Sequence, residues 1–348
     1  MPIDFEVGRS WRGPSGWRLA RTIDAHTGGE PFRVVIEGAP PIPGDTMLAK
    51  RQWAEEQVDS LRRVLIWEPR GHADMYGCFL TEPVTPTADF GILFIHNAGF
   101  STMCGHGIIA ATKVVLDSGM LATDFESPEV IIDAPAGLIR ARATRGAHGV
   151  ESVAFLNVPS FAAELDARIE VPELGQVTYD LAFGGAFYAF VDAPSLGLST
   201  GPDGAQALIE AASAIKGAIT ADRTIVHPEA PDLGFLYGVV FVGPAADPKR
   251  HSRNVCVFAD GEVDRSPTGT GVSARVAIHH ARGEIGLDEA IEVESIVGSS
   301  FRGRAVEEAR CGSHSAVIPE IVGRAWISGR HEFFLDPTDG FPEGFFLR

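Results

Sequence analysis

Short runs of apolar and β-branched residues, separated by turns rich in glycine and proline, recur along most of the chain. Runs of this length predict β-strands, whereas apolar positions three to four residues apart predict helices. The predicted strands cover residues 18–26, 32–36, 90–95, 129–133, 137–142, 153–158, 181–191, 234–242, 253–258, 316–318, 323–327 and 333–335, with two more within 67–81. The predicted helices cover 45–65, 108–115, 204–218 and 272–278, and residues 1–17 are expected to be an irregular arm.

The same pattern of turns occurs twice. A glycine pair precedes an extended run at 28–29 and again at 184–185. A turn with alternating glycines lies at 104–107 (CGHG) and again at 268–271 (TGTG), and each turn precedes a predicted helix. The spacing from glycine pair to turn is similar in the two cases. It is 75 positions from Gly29 to Cys104 and 83 positions from Gly185 to Thr268. This order predicts two related halves whose helix starts face each other across a cleft.

Composition and charge narrow the class of protein. The chain has 348 residues, of which 45% are hydrophobic and 22% charged, as in a globular protein of about two domains. A formal charge of −17 argues against nucleic acid or an anionic membrane as a partner, because both demand a basic surface. Its longest apolar run, 235–242, is too short to span a membrane, and the acidic N-terminus does not resemble a signal peptide.

The four cysteines are widely spaced, at positions 78, 104, 256 and 311, and form no C-x-x-C pair. In a chain of this length the spacing argues against a disulfide scaffold and predicts a reducing, cytoplasmic setting. Cys78, Cys256 and Cys311 are expected to be buried core thiols. Cys104 differs, because it lies between two glycine-rich turns at the start of a predicted helix.

A helix start presents unpaired N–H groups and a positive dipole end, a setting that lowers the pKa of a thiol. Cys104 is therefore predicted to be a nucleophile or a base, and Thr268 is predicted to face it from the other half. Removal of a proton next to a carboxylate creates a second negative charge, which fixed donors must stabilise.

The backbone N–H groups at the two turns are predicted to hold that carboxylate. They belong to Gly105 and His106 in the first half and to Gly269 and Thr270 in the second. Asp264, just before the second turn, is predicted to accept a hydrogen bond from a substrate ammonium group.

Three segments together resemble the proline racemase family: DAHTGGEP at 24–31, MCGHG at 103–107 and DRSPTGTG at 264–271. The resemblance implies an α/β (α+β) fold of the diaminopimelate-epimerase type, with two pseudo-symmetric halves, each a curved sheet around a central helix. The halves are expected at 1–182 and 183–328, with the tail 329–348 returning to the first. The resemblance also implies a small imino acid as substrate, no metal or organic cofactor, and a homodimer.

The sequence departs from the racemases of this family at Thr268, where they carry a second cysteine. Inversion needs an acid on the face opposite the base, and a threonine hydroxyl is a poor proton donor to a carbanion. In this respect the chain resembles the trans-3-hydroxy-L-proline dehydratases, whose product is Δ1-pyrroline-2-carboxylate. The resemblance implies that Cys104 is the base, that the two turns hold the carboxylate and that Asp264 holds the ring nitrogen.

Other functions remain open on the sequence. A proline or hydroxyproline racemase or epimerase is the nearest alternative, and a ligand-binding homologue without activity is another. Cys104, His106 and the CGSH segment at 311–314 are candidate zinc ligands of a hydrolase, although their spacing is not that of a zinc finger. A cysteine-histidine hydrolase would take His26, His96 or His106 as its base, but no G-x-S-x-G motif supports it.

Overall fold

The computed structural model describes residues 3–347. Its helices are α1 (Phe5–Ser10), α2 (Met47–Gln57), α3 (Asp59–Ile66), α4 (Gly105–Asp117), α5 (Ala205–Asp222) and α6 (Gly269–Ala281). Its strands are β1 (Arg18–Thr27), β2 (Glu30–Glu37), β3 (Tyr76–Thr81), β4 (Phe90–His96), β5 (Phe100–Ser101), β6 (Glu129–Ala134), β7 (Gly137–Gly146), β8 (Gly149–Leu156), β9 (Phe161–Val171), β10 (Gly175–Phe183), β11 (Phe187–Asp192), β12 (Leu236–Gly243), β13 (Ser252–Phe258), β14 (Glu262–Val263), β15 (Ala290–Glu294), β16 (Ser300–Cys311), β17 (His314–Gly323) and β18 (Ala325–Leu335). Short 3₁₀ turns lie at Pro194–Leu196, Pro202–Gly204 and Pro231–Leu233.

All the strands belong to one continuous sheet, which consists of two runs with the same pairing pattern. The first run is β18-β1-β2-β3-β4-β6-β7-β8, and the second is β9-β10-β11-β12-β13-β15-β16-β17. Parallel pairs occur at equivalent places, β2 with β3 and β11 with β12, then β4 with β6 and β13 with β15. The runs join where β8 pairs with β17.

Each run packs around one helix, α4 in the first and α6 in the second. Both helices have 13 residues, and every residue of α4 except the last, Asp117, is buried. A helix that is apolar on all sides belongs in a core, which the sheet here supplies. The mixed α/β architecture with two similar halves, implied by the resemblance, is confirmed. The division at residue 182 stays a prediction, and the pairings favour a break between β8 and β9 instead.

Three local predictions are wrong in detail. Residues 5–10 of the expected irregular arm form α1, because the Asp4 carboxylate caps the N–H groups of Glu6 and Val7. The helix expected over 45–65 is two helices, α2 and α3, separated by Val58 with a non-helical backbone. One strand, β3, forms where two were expected within 67–81. Along residues 3–347, none of the helices has both the length and the apolar character needed to cross a bilayer.

Candidate active site

The two repeated turns meet at the centre of the molecule. Cys104 is the N-cap residue of α4, and Thr268 is the N-cap residue of α6. Both side chains are buried, with 4% and 5% of their surface exposed. The helices therefore begin at the same cleft, and a thiol from one half faces it together with a hydroxyl from the other.

The helix starts are in direct backbone contact. A Cβ atom built on Gly105 would lie 2.6 Å from the Cα of Gly269, and one built on Gly269 would lie 2.7 Å from the Cα of Gly105. No side chain fits at such distances, so only glycine permits this approach. The glycines of the two turns thus fix how closely the halves meet.

The first turns of the helices supply free donors to the cleft. The Gly107 N–H donates to the Cys104 sulfur over 3.3 Å. Within residues 3–347, the N–H groups of Gly105, His106, Gly269 and Thr270 make no hydrogen bond. Four unpaired donors at two positive dipole ends suit a carboxylate.

Asp264 and His106 lie beside Cys104. The two ring nitrogens of His106 are 3.3 and 3.4 Å from the Cys104 sulfur. Its Nδ1 lies 3.8 Å from Oδ2 of Asp264, whose Oδ1 accepts from the Ser266 N–H over 2.7 Å. Burial lowers the pKa of His106 to about 4, so its imidazole is neutral at physiological pH. The carboxylate of Asp264 thus remains available to a cationic ligand.

The thiol of Cys104 does not have the lowered pKa that its place at a helix start predicts. Burial raises its pKa well above the usual range, and the negative charge of Asp264 raises it further. The hydrogen bond from the Gly107 N–H and the nearby Tyr76 hydroxyl both lower this pKa, but by less. Desolvation outweighs the donors because the sulfur is fully enclosed.

The raised pKa predicts a strong dependence of activity on pH. Only the thiolate accepts a proton, so kcat/KM falls as pH drops below the pKa of Cys104 and recovers as pH rises through it. We expect kcat/KM to go on rising beyond about pH 8.5, the ordinary pKa of a thiol. A pH-rate profile tests this, and a plateau reached below neutrality would contradict it. Titration of His106 does not produce such a rise, because this side chain has a pKa of about 4 and is already neutral at these higher pH values.

The second turn holds its threonine in an unusual conformation. Thr268 has φ 65° and ψ 95°, which is rare for a β-branched residue. Its Oγ1 is buried and has no hydrogen-bond partner among residues 3–347. Thr268 lowers the pKa of the Cys256 thiol, which lies in the same cavity wall. Burial nevertheless raises the pKa of Cys256 well above the usual range. Strained residues and unpaired buried hydroxyls concentrate at functional sites.

A buried glutamate ties the two halves together behind the cleft. Glu30, at the start of β2, accepts a hydrogen bond from the Arg265 N–H over 2.7 Å. Its side chain is fully buried, and burial together with Asp264 raises its pKa well above the usual range. In the same loop, the Thr27 hydroxyl donates to the carbonyl of His106 over 2.9 Å. The first glycine-rich loop therefore supports both walls of the site.

The structure brings all seven predicted site residues into the wall of one small cavity of about 20 Å³, which has room for roughly one water molecule. They are Cys104, Gly105, His106, Asp264, Thr268, Gly269 and Thr270. Their roles in the chemistry stay predictions.

The sequence missed six further residues of this wall: Tyr76, Met103, Tyr188, Tyr237, Cys256 and Phe258. Five of them lie on strands whose apolar pattern predicts core, so only the assembled fold reveals them. Tyr188 is an example, since its hydroxyl lies 2.7 Å from Oγ1 of Thr270. Cys256 is buried in the hydrophobic core, as expected, and its side chain also lies in the cavity wall.

The structure gives little support to the two hydrolase hypotheses. Of the three histidines proposed as a base, His106 alone contacts Cys104, because His26 stacks on Trp326 and His96 lies beside Glu262. Among the residues described, no three His, Cys, Asp or Glu side chains are placed to hold a metal ion.

Comparisons with known proteins agree with this geometry. The family model described as proline racemase matches residues 22–346. A trans-3-hydroxy-L-proline dehydratase of Colwellia psychrerythraea is 47% identical, over 99% of this chain and 98% of its own. A 3-hydroxyproline 2-epimerase of Burkholderia multivorans is 43% identical, over 95% and 99%.

A solved structure gives the same result for the fold. The hydroxyproline epimerase from Agrobacterium vitis, with bound trans-4-hydroxy-L-proline, superimposes with a TM-score of 0.89. It is 35% identical, and the match covers 95% of this chain and 96% of the epimerase. Sequence, architecture and the paired helix starts therefore lead to one conclusion: this chain belongs to the proline racemase family.

Proposed function

We propose that this protein dehydrates trans-3-hydroxy-L-proline to Δ1-pyrroline-2-carboxylate without a cofactor. The observation that carries the proposal is the asymmetry of the two helix starts, where Cys104 supplies a thiol and Thr268 supplies a hydroxyl. The name of the Colwellia relative supports the same reaction. A site with one base at this position suits elimination better than inversion.

The stereochemistry of the substrate fits a single base. In trans-3-hydroxy-L-proline the carboxylate and the hydroxyl lie on opposite faces of the ring, so the α-hydrogen lies on the face of the hydroxyl. Cys104 takes the α-proton from that face, and the C3–O bond breaks on the same face. Loss of water leaves an enamine, which tautomerises to the pyrroline.

The paired turns bind the two ends of the imino acid. The free N–H groups of Gly105, His106, Gly269 and Thr270 hold the carboxylate and stabilise the charge that develops when the α-proton leaves. The carboxylate of Asp264 holds the ring nitrogen. Because the cavity of about 20 Å³ is far smaller than a proline ring, the halves must separate to admit the substrate and close around it.

Incubation of the enzyme with trans-3-hydroxy-L-proline, 4-hydroxyproline and L-proline tests the proposal. We expect the 2-aminobenzaldehyde colour of a pyrroline with the first substrate alone, and polarimetry is expected to show no inversion of the other two. Inversion without colour would indicate an epimerase or racemase. Binding without turnover would indicate a ligand-binding homologue.

One observation favours epimerisation as a second candidate. The Cys256 thiol lies in the cavity wall, on a strand of the half that carries Thr268, and a second acid is needed from that half. The name of the Burkholderia relative is consistent with this activity. If wild type inverts 3-hydroxyproline at C2 and Cys256→Ala does not, this candidate replaces dehydration.

Replacing Thr268 with cysteine restores the pair of thiols found in the racemases. We expect Thr268→Cys to gain epimerisation of hydroxyproline by roughly 10²-fold over wild type, because a positioned acid contributes about this much. The unbranched cysteine is less strained than threonine at this backbone conformation. Chiral chromatography of the recovered substrate measures the gain, and Thr268→Ser, which adds no thiol, is the matched control. Equal epimerisation by the two variants would contradict the argument.

The proposal also covers the compartment and the oligomeric state. Four free cysteines support a reducing compartment, and the cytoplasmic location stays a prediction. The homodimer implied by the family also stays a prediction.

A further inference from the structure

A tyrosine lies next to the proposed base. Tyr76 begins β3, and its side chain lines the same small cavity as Cys104. Its ring packs edge-on against the ring of His106, with centroids 4.9 Å apart, and the side chain is 2% exposed. The tyrosine therefore belongs to the wall on the Cys104 side of the cavity.

A short chain of hydroxyl groups continues from this tyrosine. The Tyr76 hydroxyl lies within hydrogen-bond distance of Oγ of Ser101 and 3.2 Å from the hydroxyl of Tyr237. Burial raises the pKa values of both tyrosines well above the usual range, so both remain protonated at physiological pH. A protonated phenol in the cavity wall that also holds the base is placed to donate to a group on the same face of a bound ring.

We propose that Tyr76 relays the α-proton from the Cys104 sulfur to the departing C3 hydroxyl. The C3 hydroxyl of the substrate lies on the Cys104 face, which is also the Tyr76 side of the cavity. As the C3–O bond breaks, the electron pair goes to oxygen, which takes the phenol proton and leaves as water. The thiol, carrying the former α-proton, then reprotonates Tyr76 and returns to thiolate.

This inference rests on the proposed function and adds the group that protonates the leaving hydroxyl. The experiment compares wild type with Tyr76→Phe on two substrates, trans-3-hydroxy-L-proline and trans-3-chloro-L-proline. Both give the same pyrroline, but chloride leaves without a proton. We expect Tyr76→Phe to lose roughly 10²-fold in kcat/KM on the hydroxy substrate and far less on the chloro substrate.

A second readout uses trans-3-hydroxy-L-proline deuterated at the α-carbon. With Tyr76→Phe the cleavage of the C–O bond limits the rate, so we expect the α-deuterium isotope effect to fall toward unity. Tyr237→Phe removes the neighbouring hydroxyl only and is expected to shift both readouts in the same direction by less. Tyr179→Phe is the control, because its buried hydroxyl has no hydrogen-bond partner within residues 3–347 and lies outside the cavity wall.

The outcomes separate the two proposals. Equal losses on the two substrates with an unchanged isotope effect would show that Tyr76 acts only through Cys104 or the fold, and would overturn the inference. Full activity of Tyr76→Phe would overturn it as well. Failure of wild type to release pyrroline from the hydroxy substrate would instead refute the proposed function. Thermal melts establish that each variant is folded.

Discussion

Replacing Cys104 with alanine is expected to abolish dehydration and leave the fold intact. The sulfur accepts a hydrogen bond from the Gly107 N–H and lies 3.3 Å from Nδ1 of His106, and both of these partners belong to the same half as Cys104. Its loss removes the base, and a positioned base contributes about 10²–10⁴-fold to a rate. Pyrroline release from trans-3-hydroxy-L-proline measures the loss, and circular dichroism reports on the fold.

Cys311→Ala is the matched control for this variant. Cys311 is also a buried thiol, at the end of β16, but it contacts His227 and lies outside the cavity wall. We expect it to keep wild-type kcat/KM. If Cys104→Ala also kept wild-type turnover, the single-base scheme would be wrong, and loss of activity in both variants would indicate a general effect of thiol removal.

Gly105→Ala is expected to have the second largest effect. The added methyl group would lie 2.6 Å from the Cα of Gly269, so the two helix starts must move apart. Overpacking of this kind destabilises a protein by roughly 1–3 kcal/mol, and a shift of about 1 Å in a site costs about 10²-fold in rate. Urea denaturation gives the stability change, and the pyrroline assay gives the change in rate.

Gly217→Ala controls for the substitution itself. Gly217 lies inside α5, and a Cβ atom there meets nothing within 4 Å. Alanine is the better helix former, so we expect a gain in stability of about 0.5–1 kcal/mol and unchanged activity. If Gly105→Ala proved as harmless as Gly217→Ala, the close contact of the helix starts would not be needed for function.

The repeat in the sequence was the strongest guide to the site. The similar spacing of glycine pair and turn in each half predicted that Cys104 and Thr268 face one cleft, and the structure places them there. This worked because both turns follow a strand and begin a buried helix, so local sequence determines where the side chains lie. Apolar runs predicted most strands for the same reason.

The sequence did not predict features that depend on tertiary contacts. The position of Cys104 at a helix start predicted a lowered pKa, but burial and Asp264, which become apparent only in the folded chain, raise it. Tyr76 and Cys256 lie on strands whose sequence does not distinguish a cavity wall from a core. No glycine or proline lies at Val58, where α2 ends and α3 begins, so the sequence pattern did not predict this break.

The most direct test of the single-base account is proton NMR of wild-type enzyme with trans-3-hydroxy-L-proline in heavy water. The account predicts that Δ1-pyrroline-2-carboxylate accumulates and that all unreacted substrate keeps the trans-L configuration. Accumulation of cis-3-hydroxy-D-proline in place of the pyrroline would contradict it, because inversion at C2 needs a second acid on the Thr268 side of the cleft.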